Sequence, residues 1–374
     1  MFIYAGIDEA GYGPMLGPLC IGCAAFVIPD HDPDQHGRID LWKRLGRAVC
    51  KKKSDRRKRI AIDDSKHLKG ANNGPTHPLL HLERGVLAFV ATGRTDAPAG
   101  KGTYEPGAPA TAPFGIRTLD RATAPLATGG ARGSSGPPGS PRSSLPASDT
   151  DLFARLGVTL PDEPWYASTT PLPVANHADQ LRIAASRLHR ALSDEGVELC
   201  MRSIGCEAVD AAAFNREVDQ TGTKAAVNFA AAMRHVESIW RAYPDDHPRI
   251  IIDRHGGRTH YRQELQTAFP ETFISIIAEE PAISRYRLER GGSHITISFI
   301  TEAETGHLPV ALASMIAKYV RELAMGRMNR YFQALAPELK PTAGYVQDAR
   351  RYLADLEPVL AARRIDPSCL IRSC

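Results

Sequence analysis

The strongest constraint on the fold lies in the first 28 residues, where two apolar runs flank a glycine-rich stretch. Residues 2–7 and 19–28 have the composition of buried strands, and the short stretch between them holds three glycines. Two such runs joined by a tight turn can pair as a hairpin. The chain is therefore predicted to begin with a hairpin, and two adjacent acids, Asp8 and Glu9, stand where its first strand ends.

Length and composition predict a globular protein. The chain has 374 residues, of which 43% are hydrophobic, and a formal net charge of +4 that permits a polyanionic partner without requiring one. No run approaches the roughly 18 apolar residues of a membrane span, and the N-terminus lacks the layout of a signal peptide. We therefore expect a cytoplasmic protein with no membrane partner, and we expect it to be a monomer.

Seven cysteines, odd in number and unevenly spread, do not form the framework of a secreted disulfide-rich domain. Cys20 and Cys23 form a CxxC, but they lie in an apolar run typical of a strand, where residues three apart face opposite sides. We interpret them as buried thiols. A metal or redox pair is the alternative.

Two segments depart from the average composition. Residues 43–59 carry ten Lys or Arg against one acid, Asp55, and either form a solvated or disordered segment or contact phosphate backbones. Residues 93–149 are rich in Gly, Pro, Ala, Ser and Thr, and we predict a disordered insertion there. The insertion divides the predicted domain into residues 1–92 and 150–374.

Beyond the insertion, the pattern indicates a mixed α/β fold. Helical spacing is present in residues 178–195, 211–243 and 308–332, and strands are predicted at 198–205, 249–253 and 294–300. The strands are thus expected to be paired at first and separated by helices later in the chain.

Three acids are placed to share metal ions. Two like charges side by side at a strand end repel each other, and Asp253 ends the short apolar run of residues 249–253. Mg²⁺ prefers oxygen ligands, and a pair of such ions can activate water and stabilise a leaving phosphodiester oxygen. Asp8, Glu9 and Asp253 are therefore candidate ligands. Taken singly, Asp253 could instead cap the turn that follows it, and Glu9 could face solvent.

The order of several motifs closely resembles that of type 2 ribonucleases H, the ribonuclease HII and HIII family. The opening motif is highly specific and the late Ala-rich helix fairly so, and the matches leave out roughly residues 70–165. The segments that carry the resemblance are "GIDEAGYGPMLGPL", "IAIDDSKHL", "SIGCEAVDAAAFN", "IIIDRHGG", "HLPVALASMIAKYVREL" and "KPTAGYVQDARRYL".

The resemblance implies a ribonuclease H-like fold, in which helices flank a mixed central sheet, and metal-dependent cleavage of the RNA strand in RNA–DNA hybrids. It leaves open additional action at single ribonucleotides in DNA. The family's four acids, which hold two Mg²⁺ or Mn²⁺ ions, match Asp8, Glu9, Asp253 and Glu304. Glu304 stands where the ribonuclease HII branch has Asp and the HIII branch has Glu. Glu302 is a weaker substitute.

The resemblance also implies residues that contact nucleic acid. The ribonuclease HII branch has Gly-Arg-Gly after its acids, whereas this chain has Tyr12 between two glycines, so the arginine contact at the ribonucleotide junction is not implied. The glycines still let a ligand approach the backbone closely. The candidate contacts are Gly11, Tyr12, Gly13, Ser65, Lys66, Lys318 and Tyr345. A surface lysine and a packed aromatic are the plain alternatives for Lys66 and Tyr345.

Two other functions remain compatible with the sequence. One is a hybrid-binding protein that has lost catalysis, which Tyr12 and the insertion would favour. The other is a different two-metal nuclease of the same fold, such as a resolvase-like enzyme, against which the "DSK" and "AGY" segments argue.

Overall fold

The computed structural model describes residues 1–93, 144–199 and 204–373. The strands are β1 Phe2–Ala10, β2 Leu19–Ile28, β3 Val49–Cys50, β4 Ile60–Ala61, β5 Ile204–Val209, β6 Arg249–Asp253, β7 Phe273–Glu279, β8 Ile283–Arg290 and β9 Ser293–Ile300. The α-helices are α1 Pro33–His36, α2 Leu41–Arg44, α3 Ser65–Leu68, α4 Leu80–Thr92, α5 Asp149–Leu156, α6 Ala178–Asp194, α7 Ala211–Thr221, α8 Lys224–Ala242, α9 Arg262–Ala268, α10 Ala303–Gly306, α11 Leu308–Leu335 and α12 Val346–Arg363.

A seven-stranded mixed sheet forms the centre of the molecule, in the order β5-β2-β1-β6-β9-β8-β7. The predicted hairpin is confirmed, because β1 and β2 pair antiparallel along their whole length. Strand β1 also pairs parallel with β6, and β6 pairs parallel with β9. The carboxyl ends of these three parallel strands therefore meet at one edge of the sheet.

Helices cover both faces of the sheet, which confirms the predicted fold class of a mixed sheet flanked by helices. One apolar cluster joins the sheet to α4, α6 and α11, and a second joins its other face to α7, α8 and α9. Cys20 belongs to the first cluster and Cys23 to the second, and both are buried free thiols, as predicted. A third cluster packs the end of α11 against α12.

The long helix α11 lies unusually close to β1. A Cβ atom on Gly6 would stand 2.2 Å from the backbone nitrogen of Val310, so only glycine permits this approach. The contact fixes the first turns of α11 over the carboxyl end of β1. It thereby sets the position of the segment between β9 and α11, which carries Glu304.

The structure corrects several sequence predictions about secondary structure. Strands β7, β8 and β9 form a consecutive antiparallel meander, so the later strands are not all separated by helices. Of the strand predicted at 198–205, Glu198 forms an isolated bridge with Val27, and residues 204–205 begin β5, which continues to Val209 and pairs with the first half of β2. Residues 200–203 of that prediction lie outside the described residues.

The disorder predicted for residues 93–149 does not extend to the ends of that segment. Gly93 caps α4, and Asp149 begins α5 and is completely buried. Asp149 pairs with Arg327 of α11, with Oδ1 2.6 Å from Nη2, which accounts for its burial. The remainder of the predicted insertion, residues 94–143, lies outside the described part of the chain.

The basic segment 43–59 is ordered, which removes the disordered alternative. Its base is the small parallel pair β3 and β4, whose residues are buried in the main core. Arg59 closes the connecting loop by pairing with Asp55, with Nη2 2.8 Å from Oδ1. None of the helices in the described part of the chain combines the length and apolar content of a membrane span.

Candidate active site

The pairing of β1 with β6 sets Asp8 beside Asp253. Ile7 pairs with Ile252 in the parallel register, so the next residue on each strand lies at the same level, about 4.8 Å apart in backbone position. Side chains alternate along a strand, and Ile7 and Ile252 both pack on the α8 face. Asp8 and Asp253 therefore both point toward α11.

Glu9 points to the other face of the sheet, where α8 meets it. Asn228 of α8 is buried and hydrogen-bonds Glu9. The single oxygen of this amide, Oδ1, is buried and has no hydrogen-bond partner among the described residues. Asn228 thus fixes Glu9 at the shared edge of the sheet and leaves its own buried oxygen beside it.

Glu304 reaches the same edge through a tight turn after β9. Glu302 adopts a left-handed conformation with φ +51°, and the backbone N–H of Ala303 then donates to Asp253 Oδ1 at 2.9 Å. This turn brings Glu304 into hydrogen-bonding contact with Asp253. Glu304 Oε2 is buried without a partner among the described residues, whereas Glu302 is exposed. The four side chains Asp8, Glu9, Asp253 and Glu304 are called the acid pocket below.

The carboxyls of the acid pocket are strongly perturbed. Burial, reinforced by Glu9 and Asp253, raises the pKa of Asp8 well above its usual range. Burial and Asp253 raise the pKa of Glu9 to about 7. Burial, together with Asp253 and nearby Asp64, raises the pKa of Glu304 to about 7. Desolvation and like charge both favour protonated carboxyls, and a cation bound among these acids would favour the charged carboxylates instead.

The pKa of Asp253 is also raised, chiefly by burial, although hydrogen bonds from Ala303 and Glu304 oppose the shift. The charge of Lys66 acts on these acids. Burial lowers the pKa of Lys66, but Asp64, Asp8 and Glu304 outweigh that effect and leave the pKa raised. Within the described residues, the charge of this exposed lysine does not offset the four clustered acids, whose pKa values all remain raised.

The oxygens of the acid pocket suit a hard divalent cation, because they belong to carboxylates. Glu304 Oε2 and the adjacent Asn228 Oδ1 are buried and have no hydrogen-bond partner in the described structure. Their present orientation does not preform a coordination shell. Within the described residues, no group of three or more His, Cys, Asp or Glu side chains is arranged to hold a metal ion. Asp8 Oδ1 accepts from the Glu9 N–H at 2.7 Å, and Asp253 accepts from the Ala303 N–H and shares a hydrogen bond with Glu304.

Ser65 and Lys318 have structural partners. The Ser314 hydroxyl lies 3.0 Å from that of Ser65, both are buried, and Ser314 also hydrogen-bonds Asp8. Lys318 Nζ lies 3.0 Å from Glu322 Oε1, an oxygen that Lys69 also contacts. The structure thus gives Ser65 a place behind the acid pocket and joins Lys318 to an ion pair.

Gly11 lies in the turn after β1 and requires the absence of a side chain. Its φ is +92°, and a Cβ atom there would stand 2.4 Å from Arg321 Nε. The buried Arg321 of α11 donates to the carbonyl of Leu16 at 2.9 Å, and Arg372 donates to the carbonyls of Gly11 and Pro14. Arg321 and Arg372 thus hold the carbonyls of this turn by hydrogen bonds on the side that faces the protein interior.

The remaining predicted contacts lie on the surface near this turn. Gly13 is exposed, and the half-buried ring of Tyr12 has Lys224 Nζ 5.2 Å from its centroid. Tyr345 precedes α12 and is 54% exposed, a high value for an aromatic side chain. These positions leave the glycines and both tyrosines accessible to a ligand.

Sequence reasoning missed several residues around the acid pocket. Asp64 lies near Glu304 and caps α3; it belongs to the "DSK" motif, but only Ser65 and Lys66 of that motif were predicted as site residues. Asn228 could have been noticed as a polar residue on the apolar side of an Ala-rich helix. The two arginines beneath the Gly11 turn gave no local signal, because Arg372 lies 361 positions from Gly11.

No protein-family model and no curated protein matches the sequence. Among solved structures, the PCNA:RNase HII complex from Archaeoglobus fulgidus aligns over 99% of this chain and 93% of that chain, with 13% identity and a TM-score of 0.37. Bst-RNase HIII in complex with Mn²⁺ aligns over 99% of this chain and 66% of that chain, with 13% identity and a TM-score of 0.36. Both carry names of the family that the sequence motifs resemble. Likenesses with TM-scores this low do not transfer site residues or activity.

Proposed function

We propose that this protein is a metal-dependent endoribonuclease that hydrolyses the RNA strand of RNA–DNA hybrids. The observation that carries the proposal is the acid pocket, in which four acids converge at one sheet edge with little compensating charge. Their order along the chain and the glycine turn after Glu9 are those of the motifs that resemble type 2 ribonucleases H.

Asp8, Glu9, Asp253 and Glu304 would hold divalent cations, Mg²⁺ or Mn²⁺. When bound, such ions activate water and stabilise the leaving oxygen of a phosphodiester. The protein's own groups orient this site: Ser314 bonds Asp8, Asn228 bonds Glu9, and the Ala303 N–H holds Asp253. Lys66 lies at the rim with an exposed side chain, where its charge can meet a phosphate of the scissile strand.

The accessible groups after β1 suit a nucleic-acid strand beside the acids. The arginines beneath the Gly11 turn hold its carbonyls inward, so the opposite side of the turn is available to a strand. Tyr12 cannot supply the guanidinium contacts that an arginine would make, so we propose hybrid cleavage as the main activity and leave junction cleavage to the assay below.

The test is a cleavage assay with Mg²⁺ or Mn²⁺ on three labelled substrates: an RNA–DNA hybrid, a DNA duplex, and a DNA duplex with one ribonucleotide. Wild type should cleave the hybrid and leave the DNA duplex intact. Asp8→Asn should cut hybrid cleavage by about a thousandfold, because roughly 4 kcal/mol of metal-dependent stabilisation is lost and each 1.36 kcal/mol is tenfold.

The matched control is Asp179→Asn, which removes an exposed acid of α6 that pairs with Arg182 and should not alter cleavage. Binding of Asp8→Asn to the hybrid without metal should equal or exceed that of wild type, because repulsion of phosphates is reduced. A wild type that binds the hybrid but never cleaves it would identify a binding protein. Equal cleavage by wild type and Asp8→Asn would exclude the acid pocket as the active site.

A further inference from the structure

The loop between β3 and β4 carries more positive charge than its structure requires. Three arginines of the surrounding segment have acidic partners: Arg44 pairs with Glu195, Arg47 with Asp194 and Arg59 with Asp55. The six cations at positions 51–58 of the loop itself have exposed side chains and no carboxylate partner within the described residues. We call these six the basic ridge: Lys51, Lys52, Lys53, Arg56, Arg57 and Lys58.

The basic ridge is held in place by contacts that do not use its own charges. The pairing of Asp55 with Arg59 closes the loop, and Arg84 of α4 donates to the carbonyl of Lys58 at 2.7 Å. Arg187 of α6 donates to the carbonyl of Arg57. These contacts bring two more cations next to the ridge, so like charges are gathered there rather than dispersed.

The ridge begins at the rim of the acid pocket. Lys51 Nζ donates to the carbonyl of Thr305 at 2.5 Å, and Thr305 directly follows Glu304. Lys51 also lies over the ring of Trp42, 4.2 Å from its centroid, which fixes the near end of the ridge. Lys51 therefore joins the basic ridge to the segment that carries Glu304.

The basic ridge carries more positive charge than the net charge of the whole chain. The net charge is only +4, less than the six charges of the ridge, so the rest of the chain is slightly acidic overall. Like charges held together without counterions repel each other, and a polyanion placed against them removes that repulsion. An exposed cluster of cations adjacent to the proposed active site therefore suits the phosphate backbone of a duplex.

We infer that the basic ridge binds the phosphate backbone of the hybrid away from the scissile bond, and so extends the footprint of the enzyme along the duplex. This inference rests on the proposed function for the identity of the duplex. A loop of nine residues can extend roughly 10–15 Å from its base, and a duplex carries about one charge per 1.7 Å, so several phosphates lie within reach.

The experiment measures how binding of the full chain to a 20-base-pair RNA–DNA hybrid depends on salt, without divalent cations. The test variant is Lys52→Ala/Lys53→Ala/Arg57→Ala, and the matched control is Arg262→Ala/Lys340→Ala/Arg363→Ala, which removes the same charge from exposed positions elsewhere. Each lost phosphate contact lowers the slope of log K against log salt by about 0.9. The ridge variant should therefore flatten the slope by about 2–3, and the control by less than about 0.5.

Failure of this inference can be told apart from failure of the proposed function. If both triple variants keep the wild-type slope while wild type cleaves the hybrid, the ridge does not bind the duplex and the inference is overturned. If the ridge variant alone flattens the slope but wild type never cleaves, the ridge stands and the nuclease proposal fails. If the ridge variant and the control variant flatten the slope by the same amount, the inference is also overturned, since net charge alone would then explain binding.

Discussion

Two groups of acids in this protein have pKa values that are shifted in opposite directions. Asp149, at the start of α5, is completely buried, and its oxygens accept from Arg327 and from the Thr170 N–H. Burial alone would raise the pKa of Asp149, but the bonds from Arg327 outweigh it and leave the pKa lowered. In the acid pocket, burial and like charge prevail, and all four pKa values are raised.

The difference separates acids that hold the fold together from acids that remain available to a ligand. Glu83 of α4 belongs to the first group, since it is buried and accepts from three backbone N–H groups and from Tyr319. A structural carboxylate buried by folding acquires its partners from the same chain. Among the described residues, the acid pocket has fewer such partners, in keeping with the proposal that cations compensate it.

The largest expected difference between the two groups of acids is in the free energy of unfolding, when Arg327, the partner of Asp149, is removed. Arg327→Met leaves Asp149 charged and buried without a partner, so the free energy of unfolding should fall by about 3–5 kcal/mol. Asp253→Asn removes one of four repelling acids and should leave that free energy unchanged or raise it. Denaturant unfolding of both variants checks the contrast, and equal destabilisation by the two would contradict it.

A smaller effect should appear in the pH dependence of stability without divalent cations. Glu9 and Glu304 have pKa values of about 7 in the folded protein against the ordinary glutamate value of 4.5. The folded state therefore holds protons that the unfolded state has released, so their stabilising contribution is complete below about pH 4.5 and is lost as pH rises to about 7.

Thermal unfolding at pH 5 and pH 8, with and without Mg²⁺, measures this effect. Because of these two groups, the melting temperature without Mg²⁺ should be lower at pH 8 than at pH 5. Mg²⁺ should raise the melting temperature more at pH 8, where it does not compete with protons. The variant Glu9→Gln/Glu304→Gln should lose both responses. An unchanged pH slope in that variant would show that other groups cause it.

The sequence predicted the parts of this molecule that local patterns encode. The β1–β2 hairpin follows from two apolar runs and a glycine turn, and α11 follows from its long helical period. Strands β7 and β8 of the meander were not predicted, although the alternation in "ISRYRLER" is a signal for a half-buried strand.

Contacts between distant positions account for the rest. The candidate acids were named from a motif, but their relation to one another depends on the register of β1 with β6 and on the turn at Glu302, which no local pattern encodes. Asp149 was assigned to a low-complexity insertion because its partner, Arg327, lies 178 positions away. Composition describes neighbours along the chain, whereas burial of a charge is decided by neighbours in space.

The most direct test of the claim that the acid pocket takes its compensation from cations is a Mn²⁺ titration at pH 8, followed by the electron paramagnetic resonance of free Mn²⁺. Wild type should bind Mn²⁺, and Asp253→Asn should weaken that binding by at least about tenfold, the lower end of what a lost supporting residue costs a metal site. The control Glu322→Gln removes a nearby acid that Lys69 and Lys318 already compensate, and it should change affinity by less than about twofold. Equal Mn²⁺ binding by wild type and Asp253→Asn, or none by wild type, would contradict the account.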